Sequence, residues 1–158
     1  MELVFKYDGK GFREMARKMP MRFEQMIRKL TAWAETESHN QLKSGPNRAW
    51  KTGELAQRRL GSTVRGYGGE AQGEVYTTGY GVYVHEGTGI YGPKGRPYTI
   101  TAVNAKALMI PVGGGEVIFR KKVTIKGMRP RPFIWEGIKR VLKPDYLSRA
   151  WRQVFGKQ

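Results

Sequence analysis

Two periodicities divide this chain, and they limit its fold more than any other feature. Early on, Phe23, Met26, Ile27, Leu30, Trp33 and Ala34 recur at helical spacing and predict one buried stripe. From Ser62 the apolar residues switch to period two with glycine punctuation. STVRGY (62–67) and GEVYTT (73–78) read as strands, as do ALMIPV (107–112) and EVIFRKKVTIK (116–126). Helical spacing returns with Phe133, Ile134, Ile138, Val141 and Leu142. After Pro144 it continues as Tyr146/Leu147, Ala150/Trp151 and Val154/Phe155. The expected class is α+β: one domain over residues 1–158, with a long N-terminal helix, a mainly antiparallel sheet and C-terminal helices over about 132–155.

Local signals refine this outline. Residues 2–7, ELVFKY, alternate as a short strand. Pro20 either kinks the first helix or starts its second part, because proline is tolerated only in a first turn. Ser44-Gly45-Pro46-Asn47 reads as loop. TGELAQRRL (52–60) reads as a short helix with Thr52 as N-cap, Glu54 in the first turn and Gly61 as the stop. GYGVYVHEG (79–87) is a strand end or a single helical turn. Gly113-Gly114-Gly115 joins two β-rich runs into a hairpin over about 107–126. If its second arm is one strand, Val117, Phe119, Val123 and Ile125 share a face with Lys121 and pack inward. Arg120, Lys122 and Lys126 then share the opposite, basic face. In MRPRPF (128–133) two X-Pro steps impose an extended approach to the last helices.

Composition narrows the chemistry. At 158 residues the chain can bury a real core. It has no cysteine, which leaves no disulfide, thiol nucleophile or Cys-ligated metal, and only His39 and His85 offer imidazoles. The first residues carry mixed charge without an apolar core, unlike a secretory signal, and no long apolar run suggests a membrane span. A soluble protein of a reducing compartment, without a membrane partner, is expected. The 29 Lys and Arg against 13 Asp and Glu give a net charge of +16, which favours a polyanionic or acidic partner; a solvated basic surface is the plain alternative. The excess concentrates after residue 116.

The segment HEGTGIYGPKGRP (85–97) contains a formal G-x-G-x-x-G. A dinucleotide site needs a helix opening on the last glycine and an acid about 20 residues on. Here PKGRP follows Gly92, and the next acid after Glu86 is Glu116. A P-loop would need G-K-[ST], whereas this chain has Gly92-Pro93-Lys94-Gly95. His85-Glu86 lacks the second histidine of H-E-x-x-H, no G-x-S-x-G elbow occurs, and the acids are scattered. His85 therefore reads as a partly buried structural residue. No catalytic residue, metal site or cofactor is expected. The basic hairpin with nearby Tyr and Phe could touch a nucleic-acid backbone, but no helix-turn-helix, RNP or GXXG reading element is present.

Three pieces in this order carry a family resemblance: TGELAQRRL (52–60), YVHEGTG (83–89) and RPRPFIWEGIK (129–139). Together they resemble the neck proteins of tailed bacteriophages, the head–tail joining or tail-completion proteins of long-tailed phages and prophages. The similarity spans roughly residues 10–142. The motif positions fall on Thr52, Gly53 and Leu55; on Tyr83, Glu86, Gly87, Thr88 and the adjoining Gly89; and on Arg131, Pro132 and Phe133. The helix at Tyr146–Phe155 and the pair Val84-His85 depart from the common pattern.

The resemblance implies a non-enzymatic virion protein of the neck, joining the DNA-filled head to the tail as part of a ring around the DNA channel. Its implied partners are copies of itself in a cyclic homo-oligomer, six-fold in expectation, and other neck and tail proteins: a head-side connector and a tail terminator or tail tube. Double-stranded DNA would pass through without specific reading. The implied location is the virion, assembled in the bacterial cytoplasm. On this reading residues 87–97 form an assembly loop, fixed at Glu86–Gly89 and mobile through Pro97, and Arg120, Lys122 and Lys126 face the DNA channel or a partner. The rival reading is a sequence-independent nucleic-acid-binding protein, with a phage-encoded hydrolase a remote third.

Overall fold

A computed structural model describes residues 3–4, 14, 17–46, 48–49, 53–67 and 70–156. The chain is α+β, and its contacts separate into two compact units: residues 1–85 with 131–158, and residues 86–130.

The first unit is built around helix α1, Pro20–Lys43. Pro20 stands at the start of this helix, where its missing N–H costs nothing, so proline opens the helix rather than kinking it. One flank of α1 packs on a three-stranded antiparallel sheet, β1 (Leu3–Val4), β2 (Leu60–Tyr67) and β3 (Glu70–Thr77), in the order β1-β3-β2. The approach is close because Gly73 of β3 lies against Thr31: a Cβ on Gly73 would come within 1.9 Å of the Thr31 hydroxyl. Ser62 of β2 donates to the Glu35 carboxylate across the same interface at 2.5 Å.

Another flank of α1 packs on α3 (Phe133–Val141) and α4 (Pro144–Phe155). Gly137 is the contact point with Ser38, where a Cβ would lie 2.5 Å from the Ser38 backbone nitrogen. Ala34, Leu42, Leu55, Ala56, Leu60, Val75, Phe133, Ile134, Ile138 and Val141 form the main core. A smaller cluster joins Met26 to Ala150 and Val154. Leu142, expected on the apolar face of α3, is instead 44 % exposed. It caps the helix one position beyond the last buried turn.

Two further sequence expectations change here. TGELAQRRL forms a five-residue π-helical turn at Leu55–Arg59. The turn ends because Leu60 enters β2, so Gly61 sits inside a strand and not at a helix stop. There Gly61 lies opposite Tyr76, whose ring stands 3.0 Å from where a Cβ would be. Thr52, the expected N-cap, lies outside the described residues, as does most of the strand expected at 2–7. GYGVYVHEG becomes helix α2, Tyr80–Glu86, which buries Gly81 and His85.

The second unit contains two separate two-stranded antiparallel ladders. β4 (Tyr98–Thr101) pairs with β7 (Lys122–Ile125), and β5 (Leu108–Gly113) pairs with β6 (Glu116–Arg120). The β5–β6 hairpin turns on Gly114 and Gly115, with Gly113 also at positive φ, as three consecutive glycines allow. The run EVIFRKKVTIK is not one strand: it breaks at Lys121, and its halves belong to different ladders.

Candidate functional site

The sequence motifs converge in the first unit as packing, not as a pocket. Leu55 is buried in the main core and abuts Gly81, where a Cβ would come within 2.7 Å of its side chain and 2.0 Å of the Thr77 hydroxyl. His85, one turn further along α2, is buried and meets the Phe133 ring edge-on at 5.3 Å. Phe133 is 0 % exposed. The Arg131 backbone N–H donates to the Val84 carbonyl at 2.9 Å, and its guanidinium donates to the Arg48 carbonyl at 2.6 Å. Pro132 precedes α3, and its carbonyl accepts the Glu136 N–H. Gly53 takes φ +80° and its carbonyl receives the Gln57 N–H. Tyr83, by contrast, faces solvent on α2.

The remaining motif residues belong to the second unit. Glu86 is half-buried at its start. Gly87, Thr88 and Gly89 cross residues 126–130 at backbone distance. Thr88 donates its N–H to the Met128 carbonyl, and its hydroxyl accepts the Met128 N–H, both at 2.9 Å. Ile90 donates to the Lys126 carbonyl at 2.7 Å. Gly89 (φ +64°) and Gly127 (φ +111°) stack here: a Cβ on either would fall 2.0 Å from the carbonyl oxygen of Lys126 or Thr88. The formal phosphate fingerprint is thus used for a chain crossing. The fixed turn expected at Glu86–Gly89 continues as a 3-10 turn, Gly89–Tyr91.

The basic candidates are all exposed, but the strand break at Lys121 separates them. Arg120 lies opposite Leu108 in the β5–β6 ladder, Lys122 lies opposite Thr101 in the β4–β7 ladder, and Lys126 follows β7. They do not form the single basic strand face that one continuous arm would give. Their apolar counterparts also depart from expectation. Val123 and Ile125 are half-buried, whereas Val117 is 44 % and Phe119 64 % exposed.

That exposure belongs to a surface the motif reading missed. Met109 (65 % exposed) lies opposite Phe119, and Pro111 opposite Val117, on one face of the hairpin; Ile110 pairs with Ile118 on the other. On β4–β7, Tyr98 and Ile100 share a face with Ile125 and Val123, while Thr99 and Thr124 bond hydroxyl to hydroxyl at 3.0 Å behind them. Among the described residues no apolar side chain between 86 and 130 is fully buried. Eight lysines and arginines accompany only Glu86 and Glu116 in this unit. The available signal was LMIPV, apolar at both parities, because a strand apolar on both faces needs cover on both.

Elsewhere the chemistry is sparse. Among the described residues no cluster of three His, Asp or Glu side chains could hold a metal, and no helix is long and apolar enough to cross a membrane. A groove of about 350 Å³ is lined by Met26, Leu147, Ser148, Trp151 and Arg152, which include no paired base for the hydroxyl. The Tyr146 hydroxyl donates to Glu37 at 2.7 Å, and that bond to a carboxylate raises the phenol above its ordinary value, with burial adding to it. Burial and then the Lys43 charge lower His39, against an opposing pull from Glu35. Comparison with protein-family models, with curated proteins and with solved structures found no match.

Proposed function

We propose that this chain is a structural, non-enzymatic subunit of a bacteriophage neck. Copies assemble into a cyclic ring, six-fold in expectation, that joins the DNA-filled head to the tail and surrounds the DNA channel. Two lines support this reading. The first is the ordered resemblance of TGELAQRRL, YVHEGTG and RPRPFIWEGIK to neck proteins.

The second, which carries it, is the uncovered apolar surface of the 86–130 unit. Two-stranded ladders are marginal alone in water, and apolar patches of this kind mark interaction surfaces. Apart from solvent-facing Tyr83, most of the described motif residues hold the first unit's core or the chain crossing of the second. They therefore act as scaffold, while the ladders present the contact surface. The strong positive charge suits a protein beside DNA that must move, since dispersed lysines and arginines attract a backbone without reading it.

Size measurement by light scattering together with electron microscopy of the purified chain tests this reading. Closed rings with weak, salt-sensitive affinity for short duplexes are the expected result. A strictly monomeric protein that binds duplex DNA tightly would favour the rival, a sequence-independent nucleic-acid-binding protein. The observation behind that rival is the pairing of exposed aromatics with cations, such as Lys139 over Trp135 at 5.2 Å.

A further inference from the structure

The β5–β6 hairpin has two edges, and they are not equivalent. In an antiparallel ladder, opposite residues alternately exchange both backbone hydrogen bonds or neither. Pro111 has no N–H and stands opposite Val117, so this pair exchanges none. The Ile110–Ile118 and Leu108–Arg120 pairs then exchange both, and the N–H and C=O of Val117 and Phe119 point away from β5. The β5 edge lacks a donor at its proline. The β6 edge keeps all its groups, and among the described residues β6 pairs with β5 alone. Its open stretch is short. The glycine turn precedes Glu116, and beyond Arg120 the Lys121 carbonyl already accepts the Ala102 N–H at 2.9 Å.

What this edge can accept follows from its five residues, Glu116-Val117-Ile118-Phe119-Arg120. The strand is symmetric about Ile118 in two independent respects. The residues with outward backbone groups, Val117 and Phe119, stand one step either side of it. Glu116 and Arg120 stand two steps either side, with opposite charge. Two β6 strands laid antiparallel about Ile118 therefore match throughout. Val117 of each copy meets Phe119 of the other as a pair that exchanges both backbone bonds, and each Glu116 falls opposite an Arg120. A shift of one residue sets outward groups against inward ones, and a shift of two separates Glu116 from Arg120. Among the described edge strands β6 alone carries both an acid and a base. β2 has Arg65, β7 has Lys122, and β1, β4 and β5 have no charged residue.

We infer that β6 pairs with β6 of a second copy about a twofold axis through Ile118, joining the two hairpins into one antiparallel sheet in the order β5-β6-β6-β5. Such a contact is isologous and closes at two copies. It therefore goes beyond the ring reading, which needs a further, head-to-tail surface. Main-chain bonds supply the attachment, and the cross-strand pairs set the register. Met109 and Phe119 of one copy continue into Val117 and Pro111 of the other as a single apolar row. Ile118, 39 % exposed in the single chain, gains cover from its own copy.

The test uses the full chain, which has no cysteine of its own. In this register Ile118 and its copy form the closer kind of pair, which exchanges no backbone bond and holds Cα atoms about 4.5 Å apart, within disulfide reach. Gently oxidised Ile118→Cys protein should give a linked dimer. It should be on the order of tenfold more abundant than from Val112→Cys, an exposed control on β5, because pairing raises the effective thiol concentration. Charge exchange then tests the register. Glu116→Arg sets like charges opposite at both ends of the pairing and should weaken the dimer about tenfold in sedimentation equilibrium. Adding Arg120→Glu to it restores both pairs and should restore the affinity, with thermal unfolding of the dilute monomer unchanged in each variant. No link above the control, in a protein that still assembles, overturns the inference and leaves the ring reading standing. A double variant as weak as the single one also overturns it. A link without rings upholds this contact and removes the ring reading. A chain monomeric at all concentrations removes both. Loss of duplex DNA binding in Arg120→Glu, without the 118 link, assigns the edge to nucleic acid and overturns the inference.

Discussion

The unit that holds Phe133 and the unit that holds Phe119 solve the same problem in opposite ways. In the first, a phenylalanine follows Arg-Pro, enters α3 and disappears into a core shared with α1, β3 and the Leu55 turn. In the second, a phenylalanine sits mid-strand in a hairpin and remains mostly in solvent. The first unit is held by burial; the second is held by backbone contacts, such as the crossing of Gly87–Gly89 with 126–130, and leaves its apolar area available. Burial stabilises at roughly 25 cal/mol per Å². An uncovered strand face of Met109, Val117 and Phe119 is therefore an unused driving force for association.

The largest expected effect lies in the first unit. Phe133→Ala should cost about 3–5 kcal/mol, as truncation of a buried aromatic does. Urea unfolding followed by Trp fluorescence would read this as a large drop in midpoint, and an unchanged midpoint would break the contrast at its stronger end. Next in size, Gly127→Ala forces a side chain into a left-handed backbone and against the Thr88 carbonyl. Strain of this kind costs about 1–3 kcal/mol. The loss should be confined to the second unit, visible as faster amide exchange at 88–90 and 126–128 with α1 unaffected.

A smaller effect tests the α1–α4 contact. Tyr146→Phe removes the bond to Glu37 and should cost roughly 1 kcal/mol near neutral pH. Because the folded phenol titrates above its ordinary value of 10.0, its contribution is complete below that value and fades as pH rises through the higher folded one. The variant should therefore lose less stability than the parent in strongly alkaline solution. Least of all for folding, Met109→Ser with Phe119→Ser should shift monomer stability by no more than about 0.5 kcal/mol, as exposed positions do. The same pair should raise the concentration needed for assembly, which light scattering would show. A large loss of monomer stability would mean that this face is covered within the chain.

Sequence reading reached the first unit more fully than the second for physical reasons. The stripes at Met26–Ala34 and Phe133–Val141 mark helices because one-sided burial repeats with the helix turn; Pro144 marks the start of α4, while Pro20, legible as a start or a kink, proves to be the start of α1. Glycine at 113–115 marked the hairpin turn. The break at Lys121 left no trace, since alternation in VIFR and KVTI continues across it with both halves remaining strands. Nor could spacing show that Gly89 meets Gly127, a contact between residues far apart in the chain. Leu55 and Phe133 were visible as letters of a resemblance, and His85 as a departure from it; that they pack together required the fold.

Hydrogen exchange on dilute and assembled protein reports whether residues 86–130, none of whose apolar side chains is fully buried, complete their burial against a partner. In the dilute monomer, amides of α1 and α3 should be protected close to the global stability, while those of β5, β6 and β4 exchange orders of magnitude faster. On assembly, β6 should gain protection and α1 should change little. Ladders as protected as α1 in the dilute monomer would mean that this unit is already covered within the single chain.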